Sequence, residues 1–148
     1  MKKLCLLALI FVLNGCTDSS PLTTEYSANQ YRGQWVVINY WAKWCKPCIE
    51  EIPELNALNQ SYPNVVVLGV NYDGATGEKL AQQVKSLDIQ FSMLSTDPSA
   101  DLEIPRPAVL PTTLIINPQG KLSRTLVGPQ TLASLAAATE QQSSELPK

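Results

Sequence analysis

Cys45 and Cys48, in the stretch "WAKWCKPC", are the residues of this chain best suited to covalent chemistry. A C-x-x-C pair can cycle between dithiol and disulfide, staple a turn, or supply half of a four-ligand metal site. On a helix the two sulfurs fall one turn apart on the same face, close enough to exchange with each other. The chain has four cysteines and no histidine. A Ser-His-Asp triad, a Cys-His pair and a His-ligated metal are therefore excluded. A disulfide that encloses only Lys46 and Pro47 constrains little of the unfolded chain, so stability alone is a poor reason for it.

The other two cysteines lie near the start. "MKKLCLLALIFVLNGC" sets Lys2 and Lys3 before an apolar run from Leu4 to Leu13, the charged and apolar regions of an export signal. That run is about half of the roughly 20 residues a membrane-spanning helix needs. Leu13-Asn14-Gly15-Cys16 resembles the bacterial lipobox, L-x-G-C. The resemblance implies a diacylglyceryl group on Cys16, cleavage after Gly15 and acylation of the new amino group. An ordinary secretory signal followed by an unrelated cysteine is the alternative. On the lipoprotein reading, residues 1–15 are a signal peptide, Cys16 is the lipidation site, and residues 16–30 are a polar tether. The tether reaches about 45 Å at about 3.3 Å per residue, and each buried acyl CH₂ holds the membrane by about 0.8 kcal/mol. Cys5 leaves with the signal and Cys16 is consumed, so only Cys45 and Cys48 remain for the folded domain. One chain then cannot build a four-cysteine zinc site, and an exported domain meets conditions in which disulfides persist.

The elements that must position the pair read from composition and period. The chain has 148 residues, 45% apolar and 16% charged, which suits one compact domain with an appendage. Its net charge is -2; without Lys2 and Lys3, nine basic residues face thirteen acidic ones, a balance of -4. An acidic domain with no basic stripe excludes nucleic acid as a partner. "QWVVINYW" predicts a buried strand before the cysteines, and Ile49, Ile52, Leu55 and Leu58 predict a helix after them. Pro53 falls inside that helix and predicts a kink. "NVVVLGVNY" predicts a second strand, "TGEKLAQQVKSLD" a second helix, and "FSML" a short extended piece. "TTLIINPQGKLSRTLVG" predicts a hairpin, and "PQTLASLAAATEQQ" a closing helix. The domain spans 31–142, and residues 143–148 form a flexible tail. Alternating strands and helices followed by a hairpin predict an α/β fold with a mixed sheet and helices on both faces.

The run "WVVINYWAKWCKPC" resembles the thioredoxin superfamily, in which a strand leads into W-x-x-W-C-x-P-C and the cysteines open a helix. Asn39, the run "CIEEIP" and "VLPTTLIINPQGKL" are similar to its TlpA-like (ResA- and DsbE-like), membrane-tethered periplasmic branch. The likeness covers Gly33 to Gly128. It implies a thioredoxin-like three-layer sandwich. The branch carries an extra hairpin before the first core strand, for which Thr23–Tyr31 is short.

With Cys45 at a helix start, unpaired backbone N–H groups and the positive dipole end favour its thiolate. C-x-x-C sites bring such a pKa down to about 3.5–7.5. Cys45 is then the attacking thiol and Cys48, one turn inward, the resolving one. Lys43 and Lys46 flank the site. The resemblance makes Pro111 a cis proline facing the cysteines, with an ordinary trans proline as the alternative. A cis turn offers the backbone of Leu110 to an extended substrate. Trp44, Leu110, Pro111 and Thr112 are thus the substrate-binding residues, while Trp41 and Trp44 wall the site. Thioredoxins commonly carry an aspartate where Asn39 stands. In the TlpA-like branch a glutamate three residues after the second cysteine takes up the acid-base role, which assigns it to Glu51. A solvated glutamate among Glu50, Glu51 and Glu54 is the alternative.

These readings make the chain an enzyme, a membrane-tethered thiol-disulfide oxidoreductase of the bacterial envelope that faces the periplasm. The resemblance favours the reducing direction and needs no cofactor or metal. It implies protein thiols and disulfides as partners, cytochrome c apoproteins among them, and an upstream membrane electron donor. Inner and outer membrane both stay open. A DsbA-like oxidant is the alternative within the class, although Asn71–Ala108 leaves no room for a large helical insertion. A thioredoxin-fold metal-binding module is the alternative outside it. A peroxidase-like relative would need a differently placed cysteine.

Overall fold

The computed structural model describes residues 22–141. The signal segment, Cys16, the outer part of the tether and the tail at 143–148 lie outside the described residues. In chain order the elements are β1 (Thr23–Thr24), β2 (Trp35–Trp41), α1 (Lys46–Ser61), β3 (Val65–Asn71) and α2 (Gly77–Ser86). β4 (Ser92–Leu94), β5 (Thr112–Ile116), β6 (Leu122–Val127) and α3 (Leu132–Ala138) follow. Among the described residues no helix is long and apolar enough to cross a membrane.

The sheet has six strands in the order β1-β4-β3-β2-β5-β6. β1, β4, β3 and β2 run parallel, while β5 and β6 add antiparallel to β2. All seven residues of β2 are buried. A strand covered on both faces has no polar alternation, which is why its sequence reads as one apolar run. Trp35, Val37 and Trp41 point into one core, and Val36, Ile38 and Tyr40 into the other. The expected α/β thioredoxin-like arrangement with a mixed sheet is present.

The strand order decides where the helices sit. β2 to β3 and β3 to β4 step the same way across the sheet, so right-handed crossovers put α1 and α2 on one face. Ile52, Leu55 and Leu58 of α1, Leu80 and Val84 of α2, and Leu135 and Ala138 of α3 all join the first core. Helices on both faces were expected. The second core is instead covered by Tyr26, Tyr31, Leu102, Ile104 and Leu110, carried on turns and extended chain. Pro98, Pro105 and Pro107 deny that stretch a helical hydrogen-bond ladder.

One further expectation changes in detail. The inner end of the segment read as tether belongs to the fold. Thr23 and Thr24 pair with Met93 and Leu94, and the Met93 N–H donates to the Leu22 carbonyl at 3.1 Å. Tyr26 and Tyr31 stack with ring centres 6.2 Å apart. A strand of two residues leaves no period to read. Helix α1 runs unbroken through Pro53, which lacks the N–H that would meet the Ile49 carbonyl.

Candidate active site

β2 ends at Trp41, and Ala42, Lys43 and Trp44 carry the chain to Cys45, the N-cap of α1. The Cys45 N–H donates to the Ala42 carbonyl at 3.1 Å, which folds this connection back tightly. Pro47 lies in the first helical turn, where the absent N–H costs nothing and the fixed φ suits the helix. A cap residue accepts from an unpaired N–H of that turn. Here the acceptor is sulfur: the Cys48 N–H points at Cys45 Sγ, 3.3 Å away. A donor held there stabilises negative charge on that sulfur, and the helix dipole adds to it.

Cys45 and Cys48 form a disulfide with Cα atoms 5.3 Å apart. Cys45 keeps 5% exposure and Cys48 none. A partner can therefore approach only the Cys45 side. Trp41 is fully buried in the core that holds both cysteines, whereas Trp44 is 67% exposed. The Trp44 indole donates to both Asp73 carboxylate oxygens at 3.1 Å, which fixes it as a rim beside the pair. Lys43 is exposed, and Lys46 makes only a solvent-exposed pair with Glu50 at 3.6 Å. Such pairs contribute little, so the helix terminus rather than the lysines is the positive element at Cys45.

Glu51 follows Cys48 by three residues on the same helix and is buried at 1% exposure. Its Oε1 accepts from Asn39 Nδ2 on β2, and its Oε2 accepts from the Gln130 N–H at 2.8 Å. Asn39 Nδ2 also donates to Thr113 Oγ1 on β5 at 3.0 Å. The register explains the meeting: Asn39 lies opposite Thr113, and both face α1. Burial pushes the Glu51 carboxyl up to about 6, against the lowering effect of the bonds from Gln130 and Asn39. Burial wins because removal from water disfavours the charged form. The solvated alternative for Glu51 does not hold. Its neighbour Glu54 reaches across to the Leu132 N–H at 2.6 Å, so two α1 carboxylates hold the entry to α3.

The Leu110–Pro111 peptide is cis. Tyr40 pairs with Thr112, which brings Pro111 level with the end of β2, from which Cys45 departs. The Pro111 carbonyl accepts from the Gly128 N–H at 2.9 Å. Thr112 differs from its expected part. Its side chain lies on the face away from α1, and its hydroxyl donates to the Val109 carbonyl at 2.8 Å. Side chains alternate along a strand, so Thr113, not Thr112, reaches the Glu51 network. Among the described residues no group of three or more Cys, Asp or Glu side chains is arranged to hold a metal.

Asn39 was legible only as a missing aspartate, and Thr113 only as part of L-P-T-T. Gln130 contributes a backbone N–H, which no side-chain pattern announces. Asp73 likewise carries no signal until the fold sets it beside Trp44.

Residues 11–125 match the AhpC/TSA family. The chain belongs to that family. Thiol-disulfide oxidoreductase ResA of Geobacillus thermodenitrificans is 30% identical over 109 residues, 72% of this chain and 62% of that protein. Sporulation thiol-disulfide oxidoreductase A of Bacillus subtilis is 25% identical over 114 residues, 74% of this chain and 69% of that one. Among solved structures, a secreted thiol-disulfide isomerase from Corynebacterium glutamicum superposes with a TM-score of 0.64. The match has 24% identity and covers 75% of this chain and 71% of that one. StoA from Bacillus subtilis gives a TM-score of 0.58 at 23% identity, over 72% and 83% of the two chains. The structural likenesses carry the thioredoxin-like fold. The TlpA-like resemblance agrees with the kinds of relative found.

Proposed function

We propose that this AhpC/TSA-family chain is a thiol-disulfide oxidoreductase that reduces protein disulfides in the bacterial envelope. The carrying observation is Cys45 as the N-cap of α1, its sulfur facing the Cys48 N–H while Cys48 lies wholly buried. In the reduced protein the Cys45 thiolate attacks one sulfur of a substrate disulfide. The substrate S–S bond breaks, a mixed disulfide forms, and one substrate thiolate leaves. Glu51 takes the Cys48 proton, and the Cys48 thiolate attacks Cys45 Sγ. The Cys45–Cys48 disulfide forms and the second substrate thiolate departs. Two electrons pass from the cysteine pair to the substrate. An upstream membrane dithiol donor restores the pair by the reverse exchange.

A carboxyl near pKa 6 suits the proton step, because it is ionised at neutral pH yet still basic enough to accept a proton. The thioredoxin-like resemblance supports a substrate held as an added strand at Leu110. The lipobox supports a membrane anchor at Cys16, and the TlpA-like resemblance supports the reducing direction and cytochrome c apoproteins as one substrate class. Insulin reduction with dithiothreitol as donor tests the reading. The wild type should accelerate it, Cys45→Ser should not, and the protein should not hold copper tightly. No acceleration by wild type would overturn the reading, and tight copper binding would favour the metal module.

A further inference from the structure

Arg106, in the connection between β4 and β5, ties that connection to the loop after β3. Its Nε donates to Asp97 Oδ2 at 2.7 Å and its Nη2 to the Tyr72 carbonyl at 2.6 Å. Its guanidinium also lies 3.9 Å from the centre of the Tyr72 ring. Asp97 is itself fixed, since its Oδ1 accepts from the buried Tyr40 hydroxyl at 2.8 Å and the Ser99 N–H at 2.9 Å. Tyr72 is tied to the end of β2 by its N–H to the Trp41 carbonyl at 2.8 Å. The next residue, Asp73, holds the Trp44 indole. A planar fork with a stackable face can serve all three contacts together, which an ammonium cannot.

Arg106 lies in the segment that delivers Leu110 to the site. The backbone N–H groups of Arg106, Ala108, Val109 and Leu110 make no backbone hydrogen bond among the described residues. Pro105, Pro107 and Pro111 offer none. Between the Ile104 N–H and β5 the polar anchors are the Arg106 side chain, the Thr112 hydroxyl on the Val109 carbonyl, and the Gly128 N–H on the Pro111 carbonyl. The segment thus carries unpaired backbone, the template an extended chain requires. It borders an apolar cavity of about 460 Å³ lined also by Leu114, Leu122 and Val127.

The geometry points to Arg106 as a positioning residue for protein substrates. It holds the Pro105–Leu110 segment against Tyr72, so that the Leu110 backbone is preorganised to pair with an extended peptide beside the reacting disulfide. Preorganisation raises affinity by removing the ordering cost of the segment. It leaves the sulfur chemistry at the start of α1 to other groups. The inference rests on the oxidoreductase reading above and adds the class of substrate Arg106 serves: peptide-flanked disulfides rather than small ones.

The test compares insulin with hydroxyethyl disulfide, using dithiothreitol as donor, for wild type, Arg106→Ala and Arg106→Lys. For insulin, Arg106→Ala should raise KM about tenfold with kcat within about twofold. For the small disulfide, kcat/KM should fall by less than about twofold, and the potential of the pair should stay as in wild type. Arg106→Lys should resemble Arg106→Ala. Equal losses on both substrates, an insulin KM within twofold of wild type, or restoration by lysine would overturn the clamp alone. Wild type inactive on both substrates would overturn the oxidoreductase reading and this inference with it. If Arg106→Ala does not fold, Arg106→Gln is held to the same outcomes.

Discussion

Replacing Glu51 with glutamine should abolish a pH dependence that the buried carboxyl builds into both stability and exchange. The displacement from 4.5 to about 6 corresponds to about 2 kcal/mol. Because the folded protein keeps this proton to a higher pH than the unfolded chain, the effect on stability has a fixed sign. The Glu51 contribution to stability is fully present below pH 4.5 and falls by about 2 kcal/mol as pH rises through 6. Glutamine has no proton to lose there, so the variant should lack that fall. Its amide can be accommodated. If the Asn39 amide turns over, its oxygen accepts from the new side-chain amide while Thr113 donates to it, and the Gln130 N–H keeps an oxygen partner. The assay is urea unfolding of the disulfide-bonded protein at intervals from pH 4 to 8, for wild type and Glu51→Gln. The difference between the two curves should change by about 2 kcal/mol, mostly between pH 4.5 and 6.5. Parallel curves would refute the reasoning. The resolving step should show the same limb, with Cys48 attack in the wild type rising through about pH 6 and Glu51→Gln flat there.

The attacking and resolving roles should separate in vivo. Cys48→Ser should accumulate mixed disulfides with envelope proteins and Cys45→Ser none, as read on non-reducing gels; equal trapping by both contradicts the assignment. Cys16→Ala should release the exported domain from membranes or leave it uncleaved, and a processed variant that still fractionates with membrane contradicts lipidation. Gly69→Ala should lower stability by about 1–3 kcal/mol in urea unfolding. The added methyl would run into Met93 Cε and lie 3.1 Å from Phe91 Cε2 between β3 and β4. An unchanged midpoint contradicts that packing.

What the sequence made legible follows from how local each feature is. β2 and β3 announce themselves because strands buried on both faces become uninterrupted apolar runs. α1 is legible because its buried positions Ile52, Leu55 and Leu58 repeat at helical spacing. The cysteine pair is legible because four consecutive residues hold all of it. The far layer was not, because which face a crossover helix takes depends on strand order, and the pairing of β4 beside β3 is non-local. The Glu51 network was half legible. The carboxylate and the strand amide are in the motif, but the Gln130 N–H that anchors the second oxygen is backbone from 79 residues away. Arg106 gave no signal, since its partners Asp97 and Tyr72 converge on it only after the sheet has formed.

The reduction potential of the Cys45–Cys48 couple, measured by equilibration against glutathione and dithiothreitol buffers, tests the central claim most directly. A reversible two-electron couple at or below about -200 mV, in the range of glutaredoxins and thioredoxin, is the predicted result. A potential near about -120 mV would make the protein an oxidant. A disulfide that does not exchange with either buffer would contradict a redox-active pair altogether.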